Sequence, residues 1–139
     1  MEKKMNNKGF SLVELIVVIA IMAVLVGVLA PQFIKYVEKS RESTDIQNAD
    51  SVRTVVESYY ADKDGVSGNS VTITINQNGT TSSVSNNALS DAGVDTNKLK
   101  SAEWAGNAIT MTYSTTNGSW SVSGNAKYYT ASGNTFVVK

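Results

Sequence analysis

Gly9-Phe10-Ser11-Leu12-Val13-Glu14 opens an apolar run that continues to Ala30, and Glu14 is its one charged residue. Phe10 to Ala30 is 21 residues, which as a helix spans about 31 Å and matches a hydrocarbon core of about 30 Å. An acid at the centre of a spanning helix costs about 2.5–3.5 kcal/mol. Near an end it costs less, but it still wants a partner. Glu14 therefore reads as placed, and it points to an event inside the membrane.

Working outward, Lys3, Lys4 and Lys8 precede the run and Pro31 follows it. A secretory signal peptide has an apolar stretch of only about 7–15 residues and a small-residue cleavage site. Val28-Leu29-Ala30 imitates that site, but Pro31 is a poor context for cleavage. An ordinary single-span anchor fits the length, with the lysines holding the N-terminus in the cytoplasm, and leaves Glu14 unexplained.

The third reading takes in every part. Lys8-Gly9-Phe10-Ser11-Leu12-Val13-Glu14, at the head of an apolar 20-mer and behind a short lysine-rich leader, resembles the type III signal of type IV pilins. The resemblance implies a membrane-embedded aspartic peptidase that cuts after Gly9 on the cytoplasmic face. The same enzyme would then N-methylate Phe10. Cleavage frees an α-amine about one helical turn from Glu14. The geometry between the two groups is expected to be poor within one chain and good between chains shifted along a common axis. A charge pair in low dielectric is favoured over either charge alone, and its best-attested role is setting register. A contact between different surfaces of identical chains does not close and propagates as a filament.

Length and composition bound the rest. The chain has 139 residues, with no cysteine and no histidine. That removes disulfides, thiolate metal sites, the thiol nucleophile and the commonest general base. Twelve Lys and Arg balance twelve Asp and Glu, so no broad basic field attracts nucleic acid. Removal of residues 1–9 leaves nine cations against eleven anions. With no convergent acid pair, the chain reads as a non-enzyme, and no cofactor or metal is expected.

Pro31 removes a helix hydrogen bond and clashes with the carbonyl of Gly27, so Gly27 to Pro31 is the weak span of the helix. One reading is an ordinary membrane-helix kink. The resemblance implies instead a segment that melts in the filament. From Gln32 to about Ala61 the helix turns amphipathic, with an apolar stripe of Ile46, Ala49, Val52, Val56, Tyr59 and Tyr60. The other side carries Arg41–Asp45, Arg53–Glu57 and Lys39–Glu42 pairs, each contributing about 0.2–0.5 kcal/mol, and is read as a face mostly solvated, with a minority of charges bridging neighbouring subunits. Asp62-Lys63-Asp64-Gly65 stops the helix. Its acids resemble part of a calcium loop but lack the further carboxylates and distant Glu.

Beyond the stop, Val71, Ile73 and Ile75 alternate with Thr72 and Thr74, and Asn78-Gly79 turns the chain back through Thr80 to Val84. Residues 86–103 are irregular, with a short helical turn around Leu89 to Leu99. Ile109, Met111 and Tyr113 lead across Asn117-Gly118 into Trp120 and Val122. Tyr128–Thr130 and Thr135–Val138 pair across Ser132-Gly133-Asn134. Alternation predicts an antiparallel sheet with one covered face, and the amphipathic half-helix is its cover. Both Asn-Gly turns also fit the glycosylation sequon. The aromatic residues Trp104, Trp120, Tyr59-Tyr60 and Tyr128-Tyr129 are expected in the core or at subunit contacts.

The expected fold is thus α+β and type IV pilin-like: a long N-terminal helix, apolar then amphipathic, packed on a C-terminal antiparallel sheet. Its parts are a leader, 1–9, a membrane or filament-core helix, 10–34, and a head, 35–139. The resemblance implies a structural subunit, read as a major pilin. Its partners are its own copies, the prepilin peptidase and N-methyltransferase, the assembly machinery and, before assembly, the membrane. It would begin as a single-pass cytoplasmic-membrane precursor with its N-terminus inside, and end in an extracellular pilus for adhesion, motility or biofilm. The alternatives are a minor pilin, a type II secretion or competence pseudopilin, and a stalked pilin binding DNA or a receptor. Glu14 argues against a tip subunit. Many relatives close a C-terminal loop with a disulfide, which this chain cannot form, so its last segment must be held by strand pairing.

Overall fold

The computed structural model describes residues 9–61, 70–83 and 87–139. The leader lysines, the Asp62–Gly65 stop and the Val84 end of the first hairpin lie outside the described residues. Helix α1, Leu12–Ala61, is continuous and carries Pro31 in its interior. Valine and isoleucine are mediocre helix formers in water. In an apolar medium, however, a helix satisfies every backbone N–H within the segment. The chain divides into two units between Val37 and Glu38.

In the first unit every residue from Phe10 to Tyr36 is exposed. Helix hydrogen bonding carries this stretch without support from a packed core. Nothing lies within 4 Å of where a Gly27 side chain would begin.

The second unit holds the core. Its main sheet is antiparallel, with spatial order β2-β1-β3-β4, from β1 (Ser70–Asn76), β2 (Thr80–Ser82), β3 (Ala108–Ser114) and β4 (Trp120–Ser123). The register sets Ile73 opposite Met111 and Ile75 opposite Ile109, so the apolar residues of both central strands share one face. Ala49, Val52 and Val56 of α1 join them in one cluster with Leu89, Leu99, Trp104 and Trp120. Burying each aliphatic side chain contributes about 1.5–3 kcal/mol. The short helix α2, Asn87–Asp91, adds Leu89. Gly79 turns the first hairpin at φ +152°, where a Cβ would stand 2.9 Å from the Asp95 carbonyl. That position requires glycine.

The third strand pair departs from the expected single sheet. β5 (Tyr129–Ser132) and β6 (Thr135–Val138) form a two-stranded sheet of their own. It meets β4 at its turn, where Val122 N–H donates to the Gly133 carbonyl at 3.1 Å and Ala131 N–H to Gly124 at 2.8 Å. The Phe136 ring stands edge-on to Trp104 at 5.4 Å. Gly124 permits this contact, since a Cβ there would lie 3.2 Å from Trp104 and 3.3 Å from Phe136. As expected, strand pairing secures the last segment, and Lys139 N–H adds a bond to the Tyr128 carbonyl at 2.9 Å.

The solvated-face reading is corrected for Glu42 and Asp45, while Lys39, Arg41 and Glu57 are exposed. Glu42 and Asp45 are fully buried, at 0% exposure. Asp45 accepts from the backbone N–H groups of Lys100 at 2.5 Å and Ser101 at 2.9 Å, and from the Trp104 indole at 3.0 Å. Glu42 accepts from Lys127 and Tyr128 N–H at 3.2 and 2.8 Å. Glu38 takes the Ser101 hydroxyl. Glu57 accepts from the Trp120 indole at 2.6 Å, while Arg53 donates to the Asn134 carbonyl at 3.0 Å and lies 5.3 Å over the Trp120 ring. Among the described residues, the helical ion pairs are Arg41–Glu38 at 3.6 Å and Arg53–Asp50 at 3.5 Å. The physical reason lies in the irregular segments, whose N–H groups have no ladder partner and must be satisfied when buried. Carboxylates on the inner face of α1 accept them.

Candidate functional site at the start of the long helix

Residues 9–11 are non-helical and lead directly into α1. The Gly9–Phe10 peptide bond therefore lies in irregular backbone just before the first turn. Phe10 is 92% exposed, and nothing lies within 4 Å of a side chain built at Gly9.

Glu14 is engaged with its own chain. Its carboxylate accepts the Ser11 backbone N–H at 2.7 Å, and the Ser11 hydroxyl accepts the Glu14 N–H at 3.2 Å. This reciprocal pair is a capping box, which satisfies two of the orphan donors at a helix start. The negative side chain also sits favourably at the positive end of the helix dipole. Ser11 was missed as a site residue, although Ser-x-x-Glu before an apolar run spells the motif. Because Glu14 turns back onto Ser11, its carboxylate already lies one residue from Phe10.

Gly27 and Pro31 lie inside the unbroken helix of this single chain, well away from Glu14. Downstream of Ala30, Phe33 and Tyr36 are exposed, as aromatics at a bilayer surface are. By length and composition α1 contains a stretch able to cross a membrane.

The inward-facing acids of the second unit are engaged by backbone. Glu42 and Asp45 both hold backbone donors. Burial pushes the Asp45 carboxyl above the ordinary carboxylate range, against the pull of the Lys100, Ser101 and Trp104 donors, and Glu38 adds to the rise. Among the described residues no group of three or more acids is placed to hold a metal ion.

The profile of the prokaryotic N-terminal methylation motif matches residues 4–30. The chain is 36% identical over 59 residues to the type IV major pilin protein of Myxococcus xanthus, covering 42% of this chain and 27% of that protein. It is 38% identical over 60 residues to a fimbrial protein of Eikenella corrodens, covering 43% and 39% respectively. A longer match, 38% over 100 residues, is to the prepilin peptidase-dependent protein A of Clostridium perfringens, covering 71% of this chain and 67% of that one. The chain belongs to the type IV pilin family. No solved structure matches this pilin. It spans well under half the length of the Myxococcus and Eikenella relatives and two thirds of the clostridial one.

Proposed function

We propose that this pilin is the major structural subunit of a type IV pilus. A membrane peptidase cuts between Gly9 and Phe10 and methylates the new Phe10 amine. The processed chains then leave the membrane and polymerise through their apolar helices into an extracellular filament for adhesion, motility or biofilm. Residues 1–9 are the leader, 10–34 the part that exchanges lipid for sister helices, and 35–139 the head. One observation carries the reading: a helical surface without charge from Leu15 to Leu29, exposed on every side and headed by a single carboxylate. A helix that is apolar all round belongs in lipid or in a bundle with its copies.

Within this scheme Glu14 exchanges the neutral Ser11 N–H for the charged Phe10 amine of a neighbouring copy. Charge-assisted bonds are about twice as strong as neutral ones, so the exchange is downhill in a dry filament core. Relatives named as major pilin and major fimbrial protein favour the major over the minor role. The test is N-terminal mass spectrometry of purified surface filaments, with electron microscopy of cells lacking the gene. The expected chain begins at Phe10 with one added methyl group, and the mutant cells are bald. Filaments built from chains with an intact Met1, or undiminished in the deletion strain, would sink the proposal.

A further inference from the structure

Residues 38–139 carry eight Lys and Arg against ten Asp and Glu, but the two signs are not evenly spread. Lys39 and Arg41 alternate with Glu38 and Glu42 on the first turns of α1 in this unit. The Asp45 bond to Lys100 N–H and the Glu42 bond to Lys127 N–H bring two more lysines to the same turns. Lys139 joins them, donating from Nζ to the Ala126 carbonyl. All five cationic residues are exposed, while Glu42 and Asp45 are buried. Those acids accept backbone N–H groups, so they fix the loops without pairing the ammonium groups that the same loops present. Of the five, Arg41 has a carboxylate partner, Glu38. Glu103 is the further exposed acid on these loops.

This is also the end at which the chain enters the unit. Pro31 to Val37 separate it from the last residue of the apolar run, and seven helical residues span about 11 Å. A headgroup layer is about 5–8 Å thick, and electrostatic reach in physiological salt adds about 8 Å. Connectivity thus holds the first cations of the unit, Lys39 and Arg41, near a bilayer surface, with the lysines of the loops pinned at Glu42 and Asp45 further out along the helix. We infer that this end of the head is a seat for anionic lipid headgroups, which holds the subunit against the membrane before it is drawn into a filament. The inference rests on the membrane-resident stage proposed above. Charge complementarity and attachment to the apolar span select a lipid surface as the occupant.

The chain lacks cysteine, so Ala102→Cys on the exposed stretch between Ser101 and Glu103 gives one labelling position. Full-length protein carrying a fluorophore there is reconstituted into phosphatidylcholine vesicles, with and without phosphatidylglycerol. Both sets contain lipids bearing nitroxide headgroups as quenchers. Quenching is expected to be stronger in the anionic vesicles and to fall at high salt. The Lys39→Gln/Lys100→Gln/Lys127→Gln variant, with unchanged circular dichroism, should lower the docked population roughly fivefold per cation removed. Equal quenching in neutral and anionic vesicles, or an unaffected triple variant, overturns the seat and leaves the pilus reading intact. So does a variant that loses only capture of duplex DNA by the reconstituted chain, which would assign the patch to nucleic acid. Failure of the wild-type chain to float with neutral vesicles overturns the membrane-resident stage, and this inference with it.

Discussion

Glu14 has one role in the structure and a second in the proposed filament, and one substitution separates them. As the third helical residue, closing a capping box with Ser11, it secures the start of α1, and in the proposed filament its carboxylate would supply charge for a neighbour's amine. Glutamine serves the first and not the second. Glu14→Gln is therefore expected to keep the helix start, insert normally and accumulate as processed monomer, while filaments on the cell surface become rare. Glu14→Ala should also lose the bond that the carboxylate accepts from Ser11 N–H, at a cost of about 0.5–1.5 kcal/mol to the helix end. Normal piliation of the glutamine variant, counted by electron microscopy, would show that capping alone keeps this residue. Asp45 is a second instructive residue. Asp45→Asn turns an amide N–H toward donors, stranding at least one at a cost of about 1–3 kcal/mol. Asp45→Ala strands the Lys100, Ser101 and Trp104 donors together and should cost more, as denaturant unfolding in mild detergent would measure. The pH dependence follows from the raised Asp45 pKa. The folded state holds that proton more tightly than the unfolded one, so its contribution is complete below the unfolded value of 3.8 and is lost as pH rises through the folded value. The asparagine variant should lack that fall.

At the scale of elements, the long helix was legible and its neighbours were partly so. An apolar 21-residue span with a single charge announces a helix, and Asn-Gly pairs between alternating Val, Ile and Thr announce hairpins, because local chemistry alone decides them. What was illegible depended on distant partners. The helix acids read as solvent-facing pairs because i and i+4 charges attract locally. Yet Glu38, Glu42 and Asp45 continue, at spacings of three and four, the series Ala49, Val52 and Val56. Following that phase would have put the acids on the buried face, although nothing local says which N–H groups await them. The separate β5–β6 sheet was likewise hidden, since it depends on Gly124 admitting Phe136 against Trp104. Pro31 carries the prediction for this scale. The helix runs through it in the single chain, yet Gly and Pro weaken this stretch by about 1 and 3 kcal/mol relative to Ala. Reduced helicity from Gly27 to Pro31 is expected in the assembled filament, with continuous helix from Gln32 to Ala61. A filament map with a straight helix through Pro31 would refute it.

For the molecule as a whole, the core cluster draws only on residues from Ile46 to Phe136. A fragment without residues 1–34 keeps that cluster and should be a soluble monomer of mixed helix and sheet. Circular dichroism and sedimentation would test it, and insoluble or unfolded material would count against the proposed head. Its stability should depend heavily on the carboxylates that fasten two loops to α1, Asp45 at Lys100–Trp104 and Glu42 at Lys127–Tyr128. Fastening by carboxylate differs from fastening by disulfide in when and where it can be done. A disulfide waits for an oxidant and for correct thiol pairing. A carboxylate binds its N–H donors in the same instant that the chain folds, in any redox surroundings. This subunit can therefore reach its finished form without oxygen or a thiol oxidase. Its filaments should also keep their strength in a reductant that would loosen a cystine-closed pilus.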